Sequence, residues 1–134
     1  GCRPTSGSAG IPSASAAAGF SVVATDVRNR KVGILLYGLN GPAAAPFQGG
    51  FLCIAPDAQR TPARGSGGSP FLVVDCSGGY RVDMNAFAAG EIGGSPHPAL
   101  RRPGTAVHAQ WWGRDPTGVA GTSLSDALHY AIVP

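Results

Sequence analysis

The apolar residues of this chain come in short runs, and Gly or Pro interrupts almost every approach to a longer one. Ile34–Tyr37 and Phe71–Val74 are typical of the longest stretches. With 21 Gly and 12 Pro in 134 residues, no segment offers a long helix. Short apolar runs bounded by turn residues are instead the mark of an all-β chain.

Several other classes drop out. Disorder needs low hydrophobicity and high net charge, whereas 43% of this chain is hydrophobic and its net charge is +3. No Gly-X-Y period is present. No apolar run nears the ~20 residues that span a bilayer, so no membrane insertion is expected. The length suits one domain with one core. The chain starts at Gly1 rather than Met and shows no signal peptide, which reads as a processed chain or a fragment. Lys31 is the only lysine, and the arginines are scattered, with Arg101–Arg102 the only tight pair. Phosphate tracking needs clustered cations, so no nucleic-acid partner is expected.

Residues 4–19 are Ser, Ala, Gly and Pro with little periodicity, so residues 1–19 read as an extended arm or linker and 20–134 as a single domain. Seven short strands are expected in that domain: Phe20–Val27, Lys31–Gly38, Phe51–Ile54, Phe71–Asp75, Tyr80–Asn85, Val107–Arg114 and Leu128–Val133. Three of them alternate. Tyr80, Val82 and Met84 share one face; Val107, Ala109 and Trp111 share another; Leu128, Tyr130 and Ile132 a third. Asn85–Gly90 and Ser123–Ala127 suit single helical turns. The spacing favours an antiparallel β-sandwich, Ig-like or jelly-roll-like, with long Gly/Pro-rich loops at Gly41–Gly50, Pro56–Pro70 and Gly90–Gly104.

Cys53 and Cys76 both sit at expected strand ends, and a disulfide between them would pin the loop they enclose; two buried thiols are the alternative. Paired cysteines in a lysine-poor β module point to an oxidising, secreted or cell-surface setting. Cys2 is then left over, for a partner upstream or on another chain.

A set of motifs carries a resemblance: Phe20 through Gly38 leading into Pro46-Phe-Gln-Gly-Gly-Phe-Leu-Cys53, then Asp75-Cys76-Ser-Gly, Asp83-Met-Asn-Ala-Phe87, Gln110-Trp-Trp-Gly-Arg-Asp-Pro116 and Leu124-Ser-Asp-Ala-Leu128. From about residue 10 the chain resembles a C-terminal module found on large predicted secreted proteins of environmental bacteria. The resemblance implies an extracellular, disulfide-bonded β module with no established catalytic activity. It also implies an upstream partner for Cys2 and, in other members, cysteines where this chain has Ala109 and Val133, whose packing must then replace a disulfide.

Ser125, His129 and Asp115 are the residue types of a Ser-His-Asp set, but no Gly-x-Ser-x-Gly elbow accompanies them, so no catalytic residue is assigned. No Cys-x-x-Cys or spaced His pair suggests a metal. Calcium would need Asp83, Asp115 and Asp126 to converge, without an Asp-rich loop to bring them together. Arg114 is a candidate partner for Asp83 or Asp126 across the sheet.

Strand alternation sends Trp111 inward and Trp112 outward, beside His108, Gln110 and Arg114. These four outward residues are the candidate binding set. Trp112 reads as a sugar-stacking platform, as a subunit contact, or as a residue covered by the Gly90–Gly104 loop.

The leading expectation is a non-catalytic extracellular attachment module without cofactors, whose partners are other protein chains or cell-surface components. A filament subunit that self-associates through residues 4–19 is the alternative, and a glycan-binding module using Trp112 is another.

Overall fold

The computed structural model describes all residues, Gly1–Pro134, and is all-β with antiparallel sheets. One sheet has three strands in the order β1 (Thr5–Gly10), β2 (Phe20–Val27), β8 (Gly78–Asp83). The second runs β10 (Thr122–Ala131), β9 (Ala106–Arg114), β3 (Val32–Gly38). Two short strands, β6 (Gln59–Arg60) and β7 (Arg64–Gly65), both pair with β3. A separate hairpin joins β4 (Pro42–Phe47) to β5 (Gly50–Ile54). The one α-helical turn, α1 (Met84–Ala88), follows β8, with Asp83 capping it by accepting the Ala86 N–H.

The core lies between the two larger sheets, and the alternation places its residues. Phe20, Val22 and Ala24 of β2 and Tyr80 and Val82 of β8 face Leu35 and Tyr37 of β3 and Val107, Ala109 and Trp111 of β9. Leu128, Tyr130 and Ile132 pack on the same core, as their period requires.

Tyr80 stacks on Trp111 with ring centroids 5.1 Å apart. It needs a flat seat, which Gly33 and Gly113 provide as direct cross-strand partners: a Cβ on either would run into its ring. Burial, with the Asp115 charge adding, pushes the Tyr80 phenol up to about 12. Gly113→Ala is therefore expected to displace the ring and cost about 1–3 kcal/mol by overpacking. A urea melt checks this, with near-UV circular dichroism reporting the ring stack. An unchanged midpoint would mean the ring moves aside freely.

Four expectations are corrected. Residues 1–19 are not a free arm. Thr5–Gly10 pairs along its whole length with β2, from Thr5↔Thr25 to Gly10↔Phe20. Ser13 bridges Val133, and the buried Asn85 amide donates to the Ile11 and Ala18 carbonyls while accepting the Ser13 N–H. This segment belongs to the domain because small side chains suit an edge strand whose backbone supplies the bonding.

Phe71–Asp75 is not a strand. Asn29, itself buried, donates to the Ser69, Pro70 and Val73 carbonyls and exchanges two further bonds with the Asp75 backbone. Within the segment the Asn29 side chain thus takes up the Val73 carbonyl and the Asp75 N–H, two of the groups that a neighbouring strand would have paired.

Gly41–Gly50 is not a loop but most of the β4–β5 hairpin. Gln48 and Gly49 both take positive φ, 51° and 79°, which is the requirement of a two-residue primed turn. Ser123–Ala127 is not a helical turn either; it lies in β10, where the register shifts between Leu124 and Ala127.

Candidate functional site

The disulfide joins Cys2 to Cys76, and Cys53 is free. The expected Cys53–Cys76 bond fails because β5 lies in the separate hairpin, whereas Cys76 leads into β8 and Cys2 into β1, in the other sheet. Cys2 thus needs no partner outside this chain. Its N–H donates to Asp115 at 2.6 Å, and Asp115 also pairs with Arg28 at 3.3 Å and accepts from the Thr117 N–H and hydroxyl. Burial acts to raise the Asp115 pKa, but these hydrogen bonds and the Arg28 charge outweigh it and hold the carboxyl below its ordinary value.

The residues of the Ser-His-Asp set are held apart by separate tasks. Ser125 is buried, accepting the Trp111 N–H and donating to the Asp126 carbonyl. His129 stacks on its cross-strand partner His108, 5.6 Å between centroids. Asp115 is committed to Arg28 and Cys2. The three carboxylates considered for calcium are likewise dispersed: Asp83 caps α1, Asp115 is buried, and Asp126 accepts the Ser6 N–H. Arg114 pairs with neither Asp83 nor Asp126; the protein's one ion pair is Arg28–Asp115. Ala109 is opposite Leu128 in the sheet, and Val133 is fastened instead by its backbone, which bonds with Pro12 and Ala14.

The four outward residues of β9 do share a face, but the β4–β5 hairpin lies across its middle. Gln110 is buried beneath it, donating to the Phe51 and Ser125 carbonyls and accepting the Cys53 N–H at 2.9 Å. Gln110 is therefore the clasp of the hairpin rather than a ligand contact. The hairpin also covers Trp112 in part, with Phe47 edge-on at 5.4 Å. The Gly90–Gly104 loop does not provide that cover.

This division leaves two separate hollows. His108 lines the smaller, about 350 Å³, with His129, Cys53 and Pro42. No group of three metal-ligating side chains, these included, is placed to hold a metal ion. Trp112 and Arg114 line the larger, about 470 Å³, which sequence reasoning foresaw only through those two. It missed Arg60, brought in by the short β6, and Gln48, brought in by the hairpin turn. Neither carries a local signal: Arg60 arrives through its pairing with Leu36, and Gln48 because Gln110 clasps the whole hairpin onto β9.

A different surface stands out at the end of the disulfide. Phe71, Leu72, Val73 and Val74 are 76%, 92%, 45% and 67% exposed. Four adjacent apolar residues in water are unusual on a folded chain. The turn that displays them is nonetheless fastened, by Asn29 from below, by Arg30 donating to the Gly68 and Ser69 carbonyls, and by Cys76 two residues beyond Val74. At its base, hydrogen bonds from Ser69 and Ser77 hold the Asp75 carboxyl below its ordinary pKa.

No helix is long and apolar enough to cross a membrane. Comparison with family models, with curated proteins and with solved structures finds no match to this chain.

Proposed function

We propose that this chain is a non-catalytic, extracellular attachment module that docks a protein partner through the Phe71–Val74 tip. One observation carries the reading: four exposed apolar side chains are presented on a turn with its backbone already fastened. A surface ordered in advance loses little conformational entropy when it binds, so its apolar area is available for affinity. The occupant is a protein with an apolar cleft rather than a bilayer, because the ionised Asp75 stands next to Val74 and disfavours burial in lipid. A disulfide is at home in an oxidising compartment, which supports placement outside the cell. The resemblance to modules of large secreted proteins points the same way. Filament growth through residues 4–19 is a weaker reading, since β1 already pairs within its own chain.

The test is a titration of fluorescently labelled protein onto cells that produce it, wild type against Leu72→Asp. Saturable binding is expected for the wild type, abolished by protease treatment of the cells and weakened by roughly tenfold or more in the variant. Leu72 is almost fully exposed, so the variant should melt like the wild type. Equal binding by both proteins, or binding that survives protease, would overturn the reading.

A further inference from the structure

We infer that the hollow between Trp112, Arg60 and Arg114 is a binding site for a carboxylate-bearing saccharide, a hexuronate unit in particular. It is a second site, on β3 and β9 rather than at the Phe71–Val74 tip, and does not depend on the tip's role.

The electrostatics are one-sided. Arg60 and Arg114 both border the hollow, neither has a carboxylate or hydrogen-bond partner, and no acidic residue lines it. A guanidinium offers a planar fork that fits a carboxylate with two parallel bonds. Two of them beside one hollow, with nothing to neutralise them, favour an anion.

A further donor points the same way. Gln48 accepts the Thr122 hydroxyl at 3.3 Å through its amide oxygen, which leaves its N–H groups unengaged. Ring hydroxyls are natural acceptors for these N–H groups.

Size and shape separate a sugar from a small ion. A volume of about 470 Å³ suits a ring rather than a lone phosphate or sulfate. Trp112 supplies an aromatic wall against which the C–H face of a ring can pack. Gly33 and Gly113 add no side chains to the floor, so a flat ligand meets backbone. Both glycines turn their Cβ positions to the core face, where Tyr80 sits, so on the outer face they present backbone alone.

The experiment is isothermal titration of the intact oxidised protein with tri-galacturonate, with the corresponding neutral trisaccharide, and with inorganic sulfate. Tri-galacturonate is expected to bind with heat that falls as salt is raised, and the neutral trisaccharide to bind at least roughly tenfold more weakly. Arg60→Gln and Arg114→Gln should each weaken tri-galacturonate by about tenfold, and Arg101→Gln, outside the hollow, should leave it unchanged. Trp112→Ala should abolish binding. Trp112 also packs on Phe47, so the two exposed arginines keep the test readable if that variant loosens the hairpin. Equal binding of acidic and neutral sugars, no binding of tri-galacturonate at millimolar concentration, or sulfate binding as tightly as the sugar would each overturn the inference. So would arginine variants that bind like the wild type.

Discussion

Removing the Cys2–Cys76 disulfide is expected to lower the unfolding free energy by about 4 kcal/mol. The bond joins residues 74 apart in sequence, so in the unfolded chain it closes a loop of more than half the protein. Loop-closure entropy grows with the logarithm of that length and gives about 4 kcal/mol here. Single domains are stable by only about 5–15 kcal/mol, so the loss takes a large share of the total. A local effect adds to it. Cys2 brings its N–H to the buried Asp115, and without the bond the first residues are held there by that contact and by the pairing of β1. Urea unfolding of the Cys2→Ser, Cys76→Ser double variant, and of the wild type under reductant, should show the same lowered midpoint. Cys53→Ser serves as the control, since its thiol is in no disulfide and only partly buried. If the double variant melts within about 1 kcal/mol of the wild type, the disulfide is not constraining the unfolded chain as argued.

Asp115→Ala is expected to cost about 3–5 kcal/mol. Asp115 is fully buried, and its removal strands a guanidinium that is itself almost entirely buried. It also orphans the N–H groups of Cys2 and Thr117, and leaves the Thr117 hydroxyl only its bond from Arg28. Arg28→Met should cost less, because Asp115 keeps the other three hydrogen bonds. The pH dependence follows from the direction of its pKa shift. Asp115 titrates lower in the folded chain than in the unfolded one, so its contribution is complete above the unfolded value of about 3.9. That contribution fades as pH falls through the lower, folded value. Wild-type stability should therefore drop on acidification below about pH 4 more steeply than that of Asp115→Ala. Parallel curves for the two proteins would show that Asp115 is not the group responsible.

The two surfaces differ in how they were legible. Trp112 and Arg114 were foreseen as outward neighbours because they lie on one strand, where alternation settles facing. Arg60 and Gln48 were invisible, being far away in sequence and brought in by separate pairings. His108 and Gln110 share the same outward face yet leave the site, because the hairpin passes over that face and divides it. The Phe71–Val74 tip was misread for the opposite reason. An uninterrupted apolar run reads as a buried strand, and nothing local shows that Asn29 will hold it as a turn through Val73 and Asp75 instead. The hairpin at Gln48-Gly49 was hidden because Gln, unlike Asn or Asp, gives little notice of a positive φ.

What the amino-acid sequence determined by itself was the all-β class, the inward faces of β8, β9 and β10, and the outward aim of Trp112. These depend on a period of two and on Gly and Pro between runs, and both act over a few residues. The cysteine pairing, the capture of residues 1–19, the cover over Gln110 and the walls of the hollow were decided only by the tertiary structure. Each depends on which strands become neighbours, and the free energy that selects neighbours comes from burying a shared core, to which every strand contributes at once.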